Sequence, residues 1–329
     1  MRPASRSTGC EDHFHPPASL PPLPLGILCA AVSESRVCSL CSLSLSLHAC
    51  YRAQSHAHPV PDPPLFGRYN QWAALNATLS NATISHMWLR NLGAAAVTAG
   101  VSLIYCMAWP RMLLASTESE AVTTVRASLD YYPNTPQWNI GYTSLLADAL
   151  GLRPSKDLWW SSNRALGRYG RTWRTSAEHN ARLHAAAATL STGPVMLGDL
   201  IGAEDPSLIM RSCRADGVLL QPDRAATPID ANILPRVSPG ARGPSGVVLL
   251  THTTVSHQLW FYILAVGVSK YQLRTDEVAL PDSAHGYVAV ETKSPHVVRP
   301  FDSASPLPLE SWGELDFQLW TIAPRFSNG

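Results

Sequence analysis

The sequence predicts an α/β region followed by an all-β region: a partial (β/α)8 TIM barrel, then an antiparallel β-sandwich. Three observations carry this expectation. From about residue 84, short apolar runs alternate with segments of helical periodicity, the pattern of parallel strands joined by crossover helices. Each apolar run stops at polar residues, which places any chemistry at the C-terminal edge of the sheet. After Ala215–Asp230 the helical segments cease, and β-type runs separated by turn residues follow one another, as in an antiparallel sheet. The 329 residues leave room for two domains, each with its own core.

The elements follow in order. "ISHMWLRNLGAAAVTAG" (Ile84–Gly100) sets Trp88, Leu92, Ala95, Ala96 and Ala99 at helical spacing before a glycine stop, and predicts a helix. "VSLIYCM" (Val101–Met107) is expected as a short buried strand, and "AVTTVRAS" (Ala121–Ser128) as the next. "QWNIGYTSLLADALGL" (Gln137–Leu152) predicts a helix closed by Gly151. A strand at "DLWWSS" (Asp157–Ser162), a helix at "AEHNARLHAAAATL" (Ala177–Leu190) and a strand at "GPVMLGD" (Gly193–Asp199) come next. "DPSLIMRSCRA" (Asp205–Ala215) predicts a further helix with Asp205 as its N-cap. Four strands are half of an eight-stranded barrel, here over residues 66–225. Over 226–329 the runs "SGVVLLTHTT", "HQLWFYILAVGV", "YQLRTDEVAL", "HGYVAVETK" and "DFQLWTIAP" predict a sandwich with no helix between its strands.

Residues 1–65 do not read as a fold. Proline clusters surround "SLCSLSLSLHAC" (Ser39–Cys50). Its Ser-Leu alternation fits a strand with Leu on one face, and equally the translation of a CT dinucleotide repeat. Disorder or spurious sequence is the expectation there. The short apolar stretch Leu23–Val32 follows acids and prolines rather than a basic start, so a cleaved leader is unsupported. Sequons at Asn76 and Asn81 matter only if the chain enters the secretory pathway.

Composition removes several function classes. The 25 Lys+Arg balance 24 Asp+Glu without forming basic blocks, so no nucleic-acid partner is expected. No run reaches the ~18 apolar residues of a membrane span. Five of the seven cysteines fall in the first fifty residues, and "CSLC" (Cys38–Cys41) lacks a second pair, so neither a disulfide framework nor a zinc site is expected. His13 with His15 and His56 with His58 are metal-like in spacing alone, and the chain calls for no metal and no cofactor. The ten tryptophans suit cores first, and sugar platforms second.

Charges being scarce, "AVTTVRASLDYYP" (Ala121–Pro133) is notable for Arg126 and Asp130 set four residues apart at a strand end. A surface ion pair there contributes only ~0–1 kcal/mol; half of an active site is the alternative. "YCMAWPR", "VRASLDYYP", "QWNIGYTSLLADALG", "KDLWWS", "LSTGPVMLGDLIG", "CRADGVLLQPDRAATPID" and "ELDFQLWTIAP" together resemble the raffinose-synthase and α-galactosidase group of glycoside hydrolases, over roughly residues 84–329. The resemblance implies barrel strands 5–8 followed by the sandwich, with a galactoside or related oligosaccharide as ligand. It implies that Arg126 holds a sugar hydroxyl and that Asp130 is the general acid/base. Asp199 takes the place of a carboxylate at the eighth strand. Trp159 and Trp160 line the sugar pocket or, equally, pack the core. Leu129 departs from the group, which has an aspartate beside the catalytic one.

The mechanism of this group needs a second carboxyl ~5–5.5 Å from the first. It belongs on the fourth strand, yet no Asp or Glu occurs between Asp62 and Glu118. Asp62 lies among prolines, which bar a central strand, and Trp72 follows Gln71 where the group has an acid. Without that negative neighbour, and with Arg126 beside it, Asp130 lacks the setting of a proton donor. The expectation is an inactive, truncated relative of a glycoside hydrolase or glycosyl-transferring enzyme. The alternative is a non-catalytic carbohydrate-binding or interaction protein.

Overall fold

The computed structural model describes residues 81–162 except 107 and 109, 178–292 except 282 and 284, and 297–326. Residues 1–65 and the sequon at Asn76 lie outside this range, as does Trp72. The architecture is mixed: a small parallel sheet with alternating helices, then a six-stranded antiparallel sheet. Among the described residues the parallel sheet is open and no closed barrel forms.

The α/β region begins with helix α1 (Asn81–Ala99), strand β1 (Leu103–Tyr105), helix α2 (Pro110–Ser116), strand β2 (Val122–Arg126), helix α3 (Gly141–Ala149) and strand β3 (Arg153–Ser155). The strands lie parallel in the order β1-β2-β3, the order expected when each crossover returns its strand beside the last. Leu89 and Ala96 of α1 pack with Leu103, Tyr105, Val122 and Val125. The buried stripe of α1 is thus rotated from the expected one, and Ala95 and Ala99 face solvent. The cause is Gly93, whose missing side chain lets this face approach Ser119.

Two further expectations are corrected in detail. The strands foreseen at Asp157–Ser162 and Gly193–Asp199 do not form: β3 ends before the first, and the two segments meet only through a single parallel bridge, Trp159 with Leu197. Beyond it the amides of Ser161 and Ser162 turn to the Asp199 carboxylate instead of a ladder. The helix foreseen at Asp205–Ala215 is only one turn, α5 (Pro206–Ile209). Asp205 does cap it, accepting from the amides of Ser207 and Leu208. A bridge between Cys213 and Leu219 then turns the chain. Between these segments helix α4 (Ala181–Thr189) is buried almost all round, which suits its alanine-rich sequence. Ala181, Ala185 and Ala188 meet Trp159, Trp160 and Tyr131, while Leu183 and Ala187 meet the antiparallel sheet.

The β region holds strand β4 (Thr227–Pro228), helix α6 (Asp230–Val237), and strands β5 (Val247–Val255), β6 (Gln258–Val266) and β7 (Tyr271–Leu273). Helix α7 (Thr275–Val278) and strands β8 (Tyr287–Glu291), β9 (Val298–Phe301), β10 (Leu307–Leu309) and β11 (Phe317–Pro324) complete it. The six-stranded sheet runs β4-β5-β6-β11-β8-β9, with β10 and β7 paired separately. Helices α6 and α7 correct the expectation of a helix-free region. In "YQLRTDEVAL" the apolar pattern holds for three residues, then Glu277 accepts from the Arg274 amide at 2.9 Å and starts a turn of helix.

The central strands are apolar on both faces. Phe261, Ile263 and Ala265 of β6 pack with Trp320, Leu273, Leu307 and Leu309. Leu264 and Val266 on the opposite face pack with Trp138, Ile140 and Leu183 of the α/β region. That two-sided burial explains why "LWFYILAV" reads as a continuous apolar run rather than an alternating one.

Gly193 lies hard against the backbone of β3. A Cβ built there falls 2.5 Å from the Pro154 carbonyl oxygen and 2.6 Å from the Ser155 Cβ. Gly193→Ala is expected to force the 193–198 segment off β3 and to destabilise the fold by ~1–3 kcal/mol. A urea midpoint equal to that of the native chain would contradict this packing.

Candidate functional site

The parallel sheet fixes where polar side chains gather. Arg126 ends β2, Lys156 and Asp157 follow β3, and Asp199 follows the bridge at Leu197. All stand at the C-terminal edge, the side at which open α/β sheets bind ligands.

Arg126 is the centre of this edge. Its guanidinium is almost fully buried, with a terminal nitrogen 2.6 Å from Asp130 Oδ1 and the other 3.4 Å from Asp157 Oδ2. The expected Arg126–Asp130 pair therefore forms, with Asp130 part-exposed at 44% of its side chain. Asp157 is the member that sequence reasoning missed. It accepts from the Tyr131 amide at 2.8 Å, and its own amide donates to Ser128 Oγ at 2.9 Å. These bonds tie the turn after β2 to the turn after β3, so the Asp130 backbone is held from both sides. Leu129, the residue that departs from the resembled group, is 70% exposed beside it.

A second polar centre lies beneath. Glu178 is fully buried, and its carboxylate accepts from Tyr131 Oη at 2.7 Å, the Asn134 amide at 3.0 Å and the Asn180 amide at 2.6 Å. It thereby supplies the start of α4 with the cap that Asn180 does not give. Burial first, and then the bond to Glu178, push the Tyr131 phenol far above its ordinary range. Lys156, also fully buried, donates to the carbonyls of Asp157 and Leu158 and sits 4.9 Å from the Tyr131 ring centroid. Burial pushes its amine down to about 7, although the charges of Asp157 and Glu178 oppose the shift. His184 lies 3.6 Å from Glu178, but burial and then the charge of Lys156 push it down to about 2. The imidazole is neutral, so this contact is not an ion pair. Both of its nitrogens lack hydrogen-bond partners among the described residues.

Asp199 is placed apart from Arg126. It accepts from the Ser161 amide with both oxygens, at 2.8 and 3.0 Å, and from the Ser162 amide at 3.3 Å. Burial pushes Asp199 up, while the Ser161 and Ser162 donors oppose the shift. Asp199 therefore holds the end of the Trp159–Trp160 segment rather than pairing with Asp130. Trp159 and Trp160 are buried with Tyr131 and the alanines of α4, and the Trp160 ring meets Tyr131 edge-on at 6.1 Å.

Among the described residues no cluster of His, Cys, Asp and Glu is arranged to hold a metal ion. No described helix is long and apolar enough to cross a membrane. A cavity of about 240 Å³ opens on the other side of β3, lined by Asp148, Arg153, Thr192, Gln221, Asp223 and Arg224. Its Asp148–Arg224 pair is solvent-exposed on the arginine side. The C-terminal edge, with a buried cation and three carboxylates, carries far more chemical potential. The chain matches no protein-family model and no curated protein.

The buried amine gives a pH test. The folded state holds the Lys156 proton only below about 7, whereas the unfolded chain holds it to its ordinary value of 10.5. Between these pH values the unfolded state binds more protons, so this group makes stability rise with pH. Lys156→Met is expected to flatten the rise measured by denaturant unfolding between pH 7 and 9.5. An unchanged slope would show that the amine is solvated. Separately, Tyr131→Phe leaves buried Glu178 short of one donor and is expected to lower stability by ~1–3 kcal/mol, read as a lower urea midpoint.

Proposed function

We propose that this chain is a carbohydrate-binding relative of the raffinose-synthase and α-galactosidase group that does not hydrolyse glycosides. In this reading residues 66–225 are the C-terminal half of a TIM-barrel glycosidase-like domain. The antiparallel region is its C-terminal sandwich. Three parallel strands in sequential order, with a further parallel bridge beyond the third, support the half-barrel assignment.

The observation that carries the functional reading is the Arg126–Asp130 pair: a buried guanidinium with a partly open carboxylate at a strand end. The guanidinium holds the Asp130 carboxylate in place from behind, and its open side is an acceptor for the hydroxyls of a galactoside-like sugar. Trp159 and Trp160 support the floor of that site from the core. Asp199 keeps the neighbouring turn in place.

Hydrolysis is a different demand. A retaining pair needs one carboxyl to donate a proton and a second to attack. Asp157, the carboxylate that shares Arg126 with Asp130, is occupied by the Tyr131 amide and the guanidinium. A carboxylate so engaged makes a poor nucleophile. No other acid is supplied by residues 63–117.

Titration calorimetry with galactosides is expected to show binding by the full chain that is lost in Arg126→Ala, with no sugar released on long incubation. Turnover that disappears in Asp130→Asn would overturn the inactive reading. Absence of binding to any glycoside would overturn the carbohydrate reading itself.

A further inference from the structure

One aromatic side chain has no part in the proposal above. Trp138, Trp159, Trp160 and Trp320 are buried, and Trp88 and Trp260 are half-buried. Trp312 alone among the described tryptophans is exposed, at 77%, in the connection from β10 to β11. An indole carries a large apolar face that folding ordinarily takes out of water, so one left open on the surface marks a place of contact. The backbone beneath it is pinned. The Ser311 amide donates to the Val268 carbonyl at 2.6 Å, and Ser311 Oγ accepts from the Val268 amide at 2.7 Å. The Trp312 amide donates to Asp316 Oδ2 at 2.9 Å, and the Asp316 carbonyl accepts from the Gly267 amide at 3.0 Å. Gly313 closes the turn at a φ of 103°, a region that glycine enters freely.

The surroundings of the indole are polar, which is the second observation. The inward–outward alternation of β10 continues through buried Ser311, and this sets Glu310 and Trp312 on the same outward side. The Glu310 amide donates to Gln318 Oε1 at 2.7 Å, which brings that carboxamide alongside; its NH2 group has no partner among the described residues. Glu310 and Glu314 are exposed and enter no ion pair among the described residues. Between Val298 and Phe326 no other large apolar side chain is exposed among the described residues. A protein partner would meet an aromatic anchor set in a wider apolar patch. Two exposed carboxylates repel the phosphates of a nucleic acid.

We infer that Trp312, with Glu310 and Gln318, is a surface platform for the glucopyranose units of a neutral β-linked glucan. Such a unit carries its substituents equatorially, so both of its faces are C–H faces. One of them lies flat on the indole, and the hydroxyls at the rim of the ring exchange hydrogen bonds with the Glu310 carboxylate and the Gln318 carboxamide. The platform shares no residue with the Arg126–Asp130 pair and does not rest on the reading of that pair as a galactoside site.

Native electrophoresis of the full chain through gels containing soluble mixed-linkage β-glucan reads binding as retardation. The polymer contains no galactose, so the result is separate from that of the galactoside experiment above. Retardation of the native chain is expected, lost in Trp312→Ala, kept in part in Trp312→Tyr and weakened in Glu310→Ala. Trp312 and Glu310 face solvent, so these variants are expected to keep the native urea midpoint, which distinguishes lost binding from lost folding. Absence of retardation of the native chain would overturn the inference. So would retardation that Trp312→Ala leaves intact. A concentration-dependent dimer that Trp312→Ala dissociates, with no retardation by the glucan, would assign the indole to a protein interface instead.

Discussion

Everything in this fold hangs on the antiparallel sheet being buried on both faces. Strands β5, β6 and β11 contribute to two cores at once, one closed by the β7–β10 pair and the other by Trp138, Ile140 and α4. Where these strands cross both cores their two faces are apolar, and those side chains commit the α/β region and the β region to each other. At roughly 25 cal/mol per Å² of apolar surface, neither region could expose its share of the second core without a large loss of stability. The change of pattern in the sequence near residue 225 therefore marks a change of architecture, but Ala226 belongs to the shared core.

Helix α4 transmits that constraint to the candidate site. One of its faces rests on the sheet, and the other carries the alanines that admit Trp159, Trp160 and Tyr131. Small residues at this spacing let the indoles lie close to the helix axis. Glu178, at the start of the same helix, then fixes Tyr131 by its hydroxyl while Asp157 fixes it by its amide. The Asp130 turn is thus referenced to the core through one tyrosine. Three buried ionisable groups, Lys156, Glu178 and His184, accompany this arrangement. A buried charge is seldom kept for stability alone, and here the network's evident product is the fixed geometry of the turn.

Much of this was legible in the sequence where local pattern decides. Strands β1 and β2, the helix–strand alternation and the long antiparallel strands follow from periodicity, whereas β3 lies outside every run that reads as a strand. The Arg126–Asp130 pair follows from spacing across a strand end. Asp205 capped its helix as its residue type predicts. What escaped was short or non-local. Helix α2 spans seven residues and β10 only three, too few for a period to emerge. Glu178 meets Tyr131 across forty-seven positions, and nothing in its own neighbourhood signals a partner. Asp157 sat in view within "KDLWWS", yet its link to Arg126 exists only because β3 lies beside β2. The rotation of α1 depended on one glycine meeting one serine.

The order of the antiparallel sheet has a bearing on association. Its outermost strands are β4 and β9, and each contains a proline, Pro228 in the first and Pro300 in the second. Proline offers no amide hydrogen to an incoming strand. Both borders are also short, at two and four residues, and the second carries Arg299 as well. Sheets so bordered resist growth by strand addition, so the large apolar sheet at the heart of this molecule is poorly suited to seed fibres. The border of the parallel sheet at β1 has no proline. Among the described residues, β1 and β7 are the strand borders that lack this safeguard.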